Sequence, residues 1–150
     1  MEYTEAVEIV SGLFKIDEWI CNEYGERYAV LDGDIEIRLF QSNTNTMIIQ
    51  AMFGDMIENS SAANSCEQKL KYILQANFIQ IIQSDNILSF DGKTKRLSVT
   101  EVINLIDSNL EFIADKVESF IRNVDFWDTA IRRRTSFVGL SPLLSFYKKR

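Results

Sequence analysis

Asp32, Asp34 and Glu36 place three carboxylates within five residues, a donor set that a hard cation such as calcium would take. The pattern stops there, because a calcium-binding loop also needs a distal Glu, and Asp32-Gly33 already reads as the turn of a hairpin. Asp17-Glu18 and the stretch from Asp55 to Glu58 supply further acids. Acid–base catalysis needs two of them enclosed together with separated pKa values, and these segments read instead as a solvated acidic face. The chain has no histidine, which removes Ser-His-Asp and Cys-His nucleophilic catalysis and the commonest zinc ligand. It has no Gly-rich phosphate loop. Cys21 and Cys66 are its two cysteines, read as small buried apolar groups in a reducing compartment. The sequence thus gives no catalytic residue, no metal and no cofactor, and Asn59-Ser60-Ser61 is read as a chance match to a glycosylation acceptor.

The charge is more informative. The 150 residues, 46% apolar and 25% charged, fit one soluble domain, with no run of about 20 apolar residues to span a membrane. An acidic N-terminus without a signal-peptide core points to the cytoplasm. Net charge is −6, but residues 131–150 hold Arg132, Arg133, Arg134, Lys148, Lys149 and Arg150 and no acid. Residues 1–130 therefore carry ten bases against twenty-two acids, a balance of −12. Such a body repels phosphate, so nucleic acid is not an expected partner. The division expected is a folded unit over 1–130 and a basic tail over 131–150. The tail either starts a short helix at Ser141-Pro142, with Phe137, Leu140, Leu144 and Tyr147 on its apolar side, or is a solvated or loosely docked end; docking on an acidic surface, its own or its partner's, is expected.

The elements that would position these residues follow from periodicity. Tyr3, Ala6, Val7, Val10, Leu13 and Phe14 share one face of a helix over 3–15, with Glu2, Glu5 and Glu8 near its positive end and Thr4 or a preceding residue as cap. Residues 16–26 are irregular, with Trp19 either anchoring that loop in the core, the commoner fate of a large aromatic, or projecting into a groove. The period then changes to two. Tyr28 and Val30, then Ile35, Ile37 and Leu39, then Met47, Ile49, Ala51 and Phe53 define three antiparallel strands, joined by a two-residue turn at Asp32-Gly33 and a polar turn over Ser42–Asn45. Phe40, Ile48 and Met52 fall on the opposite faces. Either the sheet is covered on both sides, or these residues form an exposed apolar patch for a partner.

A loop of small polar residues over 59–65 leads to a second helix, about 63–76, with Cys66, Leu70, Ile73, Leu74 and Asn77 on one face and Lys69 and Lys71 at its flanks. Strands follow at Ile79–Ile82 and Asn86–Phe90, with a short segment at Lys95–Leu97. Ser98-Val-Thr-Glu101 has the spacing of a capping box, and Val102, Leu105, Ile106, Leu110, Ile113, Val117, Phe120, Ile121, Val124 and Trp127 continue a stripe that predicts one helix over 99–127. The fold expected is α+β, in the order α-β-β-β-α-β-β-α, with helices packed on a twisted antiparallel sheet.

That order, the helix one pattern, the Asp32-Gly33 hairpin, the helix end at Leu74, Ala76, Asn77 and Phe78, and the long last helix ending near Trp127 resemble the class I type III secretion chaperones, the Tir-chaperone family. The resemblance covers about residues 3–127, and the basic tail departs from it. It implies a homodimeric, non-enzymatic protein that holds the N-terminal segment of a secreted effector in extended form. The secretion-system ATPase is a further candidate partner under that resemblance. It implies the dimer contact or the helix–sheet core for Cys66, Leu70, Ile73, Leu74 and Asn77. Helix one and the sheet would form the effector groove, with Val7, Phe14, Phe40, Ile48 and Met52 as its candidate residues. The alternative is a regulatory adaptor that sequesters another secretion or transcription protein.

Overall fold

The computed structural model describes residues 1–31, 34–53, 71, 74–75, 77–78, 86–91, 93–94 and 96–132, the last three without their side chains. Helix α1 spans Tyr3–Phe14. The Glu5 carboxylate accepts the Glu2 backbone N–H at 3.2 Å, satisfying one of the amides that a helix start leaves open. Lys15, at φ 57°, ends the helix in the left-handed region, and the Ile16 N–H donates back to the Ser11 carbonyl at 2.9 Å.

Six antiparallel strands follow among the described residues: β1 Ile20–Cys21, β2 Arg27–Leu31, β3 Ile35–Asn43, β4 Thr46–Met52, β5 Ile87–Asp91 and β6 Arg96–Asn104. They lie side by side in the order β1-β2-β3-β4-β6-β5. Helix α2, Leu110–Arg132, closes the described chain. Lys71, Leu74, Gln75, Asn77 and Phe78 are helical, in keeping with a second helix there, although its end at about 76 is passed. The expected strand at Ile79–Ile82, the start of the second helix and the tail beyond Arg132 lie outside the described residues.

Both helices pack on one face of the sheet. Ala6, Val7 and Val10 of α1 and Ile113, Val117, Phe120, Val124 and Trp127 of α2 share a core with Ile35, Ile37, Leu39, Met47, Ile49, Ala51, Phe53, Leu97, Val99 and Ile103. Phe14 meets Phe120 edge-on, ring centres 6.3 Å apart, so the two helices also touch each other. Removing this apolar surface from water, at about 25 cal/mol per Å², is what holds the layers together.

The helix expected over 99–127 does not begin there. Residues 96–104 are strand β6, and the helix starts at Leu110. The same stretch also has a period of two: Leu97, Val99 and Ile103 are buried, while Thr100 and Val102 turn the other way. Ser98 makes a cross-strand contact with Ser89, Oγ to Oγ 2.8 Å, rather than capping a helix. The cap is Asn109, whose Oδ1 accepts the Phe112 N–H at 2.8 Å.

Two smaller corrections belong to the other end of the sheet. Leu31 pairs with Ile35, which makes the β2–β3 connection three residues long rather than two, with Asp34 at φ 63°. Within 16–26 a two-residue strand exists because Asn22 builds a turn, its Oδ1 accepting the N–H groups of Tyr24 and Glu26 at 2.9 and 3.0 Å.

Candidate partner-binding surface

The sheet has two edges. At the first, β1 covers only Arg27 and Tyr28, so the free backbone edge along Ala29, Val30 and Leu31 has no strand beside it among the described residues. Apolar side chains surround this gap: Val30 is 67% exposed, and Ile20 and Tyr24 are exposed as well. Cys21, expected to be buried, is exposed too, because the two-residue strand β1 lies at the rim of the sheet. Beneath it, α1 meets β2 where the Arg27 guanidinium lies 6.0 Å from the Tyr3 ring centre. Burial pushes the Tyr3 phenol above its usual pKa, with Arg27 opposing that shift. Trp19 anchors the loop between them, its Nε1–H donating to Ser11 Oγ at 2.8 Å.

The second edge is β5. There the Leu88 N–H donates to the Asn77 side-chain oxygen at 2.8 Å, so the helical residues around 77 stand against the strand and use one of its outward donors. Exposed Leu74 (67%) and Phe78 (69%) share one side of that helix, four residues apart, and Ile87 is exposed nearby in sequence on the strand.

The sheet's outer face, away from α1 and α2, is laid out by register. Phe40, Ile48 and Val102 form one row across β3, β4 and β6. Tyr28, Arg38, Gln50, Thr100 and Ile87 form the next. Val30, Glu36, Met52, Ser98 and Ser89 form a third. Arg96 fastens that row: its guanidinium donates to the carbonyls of Phe53 (2.8 Å) and Met52 (3.2 Å) and to Glu36 Oε2 (2.9 Å). Glu36 is thereby tied up by arginine, which leaves it a poor calcium ligand beside Asp34. Among the described residues no three His, Cys, Asp or Glu side chains cluster as metal ligands would. No helix among them is long and apolar enough to cross a membrane.

The sequence matches the Tir chaperone protein (CesT) family over residues 26–128, more than half of the chain. The chain belongs to that family. No curated protein sequence aligns with it significantly. Among solved structures it is similar to the ExsC–ExsE complex, with 14% identity, TM-score 0.61, and 87% of this chain and 97% of that one covered. It is similar also to the HopA1–SchA chaperone–effector complex (8% identity, TM-score 0.60, coverage 85% and 93%). A third is the Yersinia pestis type III secretion chaperone SycH in complex with a stable fragment of YscM2 (16% identity, TM-score 0.52, coverage 81% and 95%). At these identities the likeness concerns the fold: an antiparallel sheet with helices laid on it.

Within this CesT-family fold, the five residues expected in one groove divide between two layers. Val7 is packed in the core and Phe14 is half-buried against Phe120, both below the sheet. Phe40 and Ile48 are cross-strand neighbours on the outer face, half-buried. Met52 is on that face too but buried, two rows away. Of the expected dimer residues, Leu74 is exposed, Asn77 is bonded to Leu88, and Cys66, Leu70 and Ile73 lie outside the described residues.

Sequence reasoning missed several residues that shape this surface. Tyr28 and Val30 turn outward and Ala29 inward, because Ala29 pairs with Ile37 in the core row. The bulkier set looked like the buried one, and only the register to β3 reveals otherwise. Glu101 is 2% exposed on the inner face, with Lys116 Nζ of α2 3.8 Å from its carboxylate. Its alternation with Val99 and Ile103 was the available signal.

Proposed function

We propose that this CesT-family chain is a type III secretion chaperone that holds an extended N-terminal segment of a secreted effector, keeping it stable and fit for secretion. The observation that carries this reading is the open edge at Ala29–Leu31 flanked by exposed Val30, Ile20 and Tyr24. An extended chain laid beside β2 gains main-chain hydrogen bonds, while its alternate side chains find apolar contacts. No bond needs to be broken for this, so the proposed role requires no catalytic group, metal or cofactor. The similar solved structures, a chaperone–effector complex among them, support a protein partner.

Two further elements belong to the proposal. Leu74 and Phe78 offer an apolar helix side for a second copy of the chain, giving a homodimer. The acidic body keeps such a dimer soluble in the bacterial cytoplasm, and the secretion-system ATPase is a candidate docking partner. Co-expression of the full chain with N-terminal segments of proteins encoded beside it, followed by co-purification and mass measurement, tests the reading. Two chains per bound segment are expected, and a monomer that retains none of them contradicts it. Val30→Glu should leave the fold intact, within about 0.5 kcal/mol as for a surface change. It should weaken retention of the segment about tenfold, the effect of roughly 1.4 kcal/mol.

A further inference from the structure

Two arginines converge on Glu36, and they are not equivalent. Arg96 is occupied at all three nitrogens, by two backbone carbonyls and the Glu36 carboxylate. Arg38 has a single contact, Nε to Glu36 Oε1 at 3.4 Å. Its two Nη groups, four N–H donors, meet no acceptor among the described residues. The Arg38 side chain is 40% exposed, against 22% for Arg96. Its cross-strand neighbours are Tyr28 and Gln50, and the Gln50 amide already donates to Thr100 Oγ1 at 3.1 Å. Around Glu36 the outer face therefore has two guanidinium groups for one carboxylate, in a chain of net charge −6.

We propose that Arg38 is a specificity-determining residue of the effector-binding surface, placed to take an acidic side chain of the bound segment. This rests on the peptide-binding reading above and adds the chemistry of what is bound. A guanidinium fork matches a carboxylate with two parallel hydrogen bonds, which a solvated lysine would not fix in direction. Phe40 follows Arg38 on the same face, and Phe40 continues into the Phe40–Ile48–Val102 row, so a bound carboxylate has apolar surface on one side. Excluding water there strengthens the pair. The distance is also suitable. Strands lie about 4.8 Å apart, so a segment added beside β2 runs about 10 Å from β3. Ile20 of β1 holds the place beside Tyr28, so the Glu of that segment comes from the open stretch beside Val30, one row on, and an extended Arg38 reaches it diagonally across the outer face. Elsewhere the acidic body repels acids, so one favourable position gives direction and register as well as attraction.

A phage-displayed library of random 20-residue segments, selected on the purified full-length chain and on its Arg38→Gln and Arg38→Glu variants, tests this, with circular dichroism to confirm folding. The wild type should enrich segments with apolar residues at alternate positions and an acid at a fixed offset from them. Arg38→Gln should keep the apolar pattern and lose the acid, and Arg38→Glu should select Lys or Arg in its place. A peptide chosen by the wild type should bind Arg38→Glu at least tenfold more weakly, and its own Glu→Lys version should recover that loss. Apolar patterns without an acid in the wild-type pool, or an unchanged acid preference in either variant, overturn the assignment. If the wild type enriches no pattern at all, the peptide-binding reading fails, and this assignment with it. Should Arg38→Glu not fold, Arg38→Gln decides alone through retention or loss of the acid.

Discussion

The two edges of the sheet are finished in opposite ways. At β5 a side chain, Asn77, takes up the outward Leu88 N–H, and helical residues stand against the strand. At β2 the cover is a strand of two residues, and Val30 stands in solvent beside the open ladder. A free edge invites pairing with another chain, and proteins normally blunt it with charge, proline, a bulge or a covering element. Here one edge is blunted and the other carries apolar side chains. The contrast points to an edge kept for a partner, since an edge of no use would be expected to carry the same protection as its opposite.

Breaking the scaffold beneath both edges should have the largest effect. Phe120 is fully buried and meets Phe14 edge-on, so Phe120→Ala should cost about 3–5 kcal/mol and loosen both edges alike. Thermal or urea unfolding measures this, and a loss under about 1 kcal/mol would place the helix layer outside the cooperative core. Asn77→Ala acts on one edge alone. It leaves the Leu88 N–H without its acceptor and should cost roughly 1–2 kcal/mol. It should also raise self-association, read by light scattering, as the second edge opens.

The smallest effect concerns the β5–β6 turn. The Lys93 N–H and the Thr94 hydroxyl donate to the Asp91 carboxylate at 2.9 and 3.0 Å, and these bonds hold its pKa below the ordinary value. A carboxylate depressed in the folded state adds stability above its unfolded pKa of about 3.9, and that contribution fades as pH falls through the lower folded pKa. Asp91→Asn should therefore flatten the acid limb of the stability curve near β5 without touching β2. An unchanged acid limb would show that the turn contributes nothing to the blunted edge.

Much of this fold is legible in the residues themselves. Ile35, Ile37 and Leu39 with Met47, Ile49, Ala51 and Phe53 alternate as expected, and all are buried. The stripe from Ile113 to Trp127 likewise marks the core side of α2. Ser98–Glu101 failed because a three-residue capping spacing and a two-residue strand spacing coexist in the same stretch. Pairing of Thr46–Met52 with Ser98–Asn104, fifty residues apart, decides between them, and no local pattern encodes it. The candidate surface was less legible. Alternation puts Phe40, Ile48 and Met52 on one face, but it does not say that Met52 is buried and its neighbours half-open. Nor does sequence show which edge strand is covered, because that depends on one hydrogen bond from Leu88 to Asn77.

Backbone amide exchange, followed residue by residue in the full chain with and without a co-purified effector segment, tests the central claim most directly. Pairing at the open edge predicts slower exchange within Ala29–Leu31 on binding, with the Leu88 amide, already bonded to Asn77, unchanged. Protection that appears along β5 while Ala29, Val30 and Leu31 stay as in the free chain would contradict it.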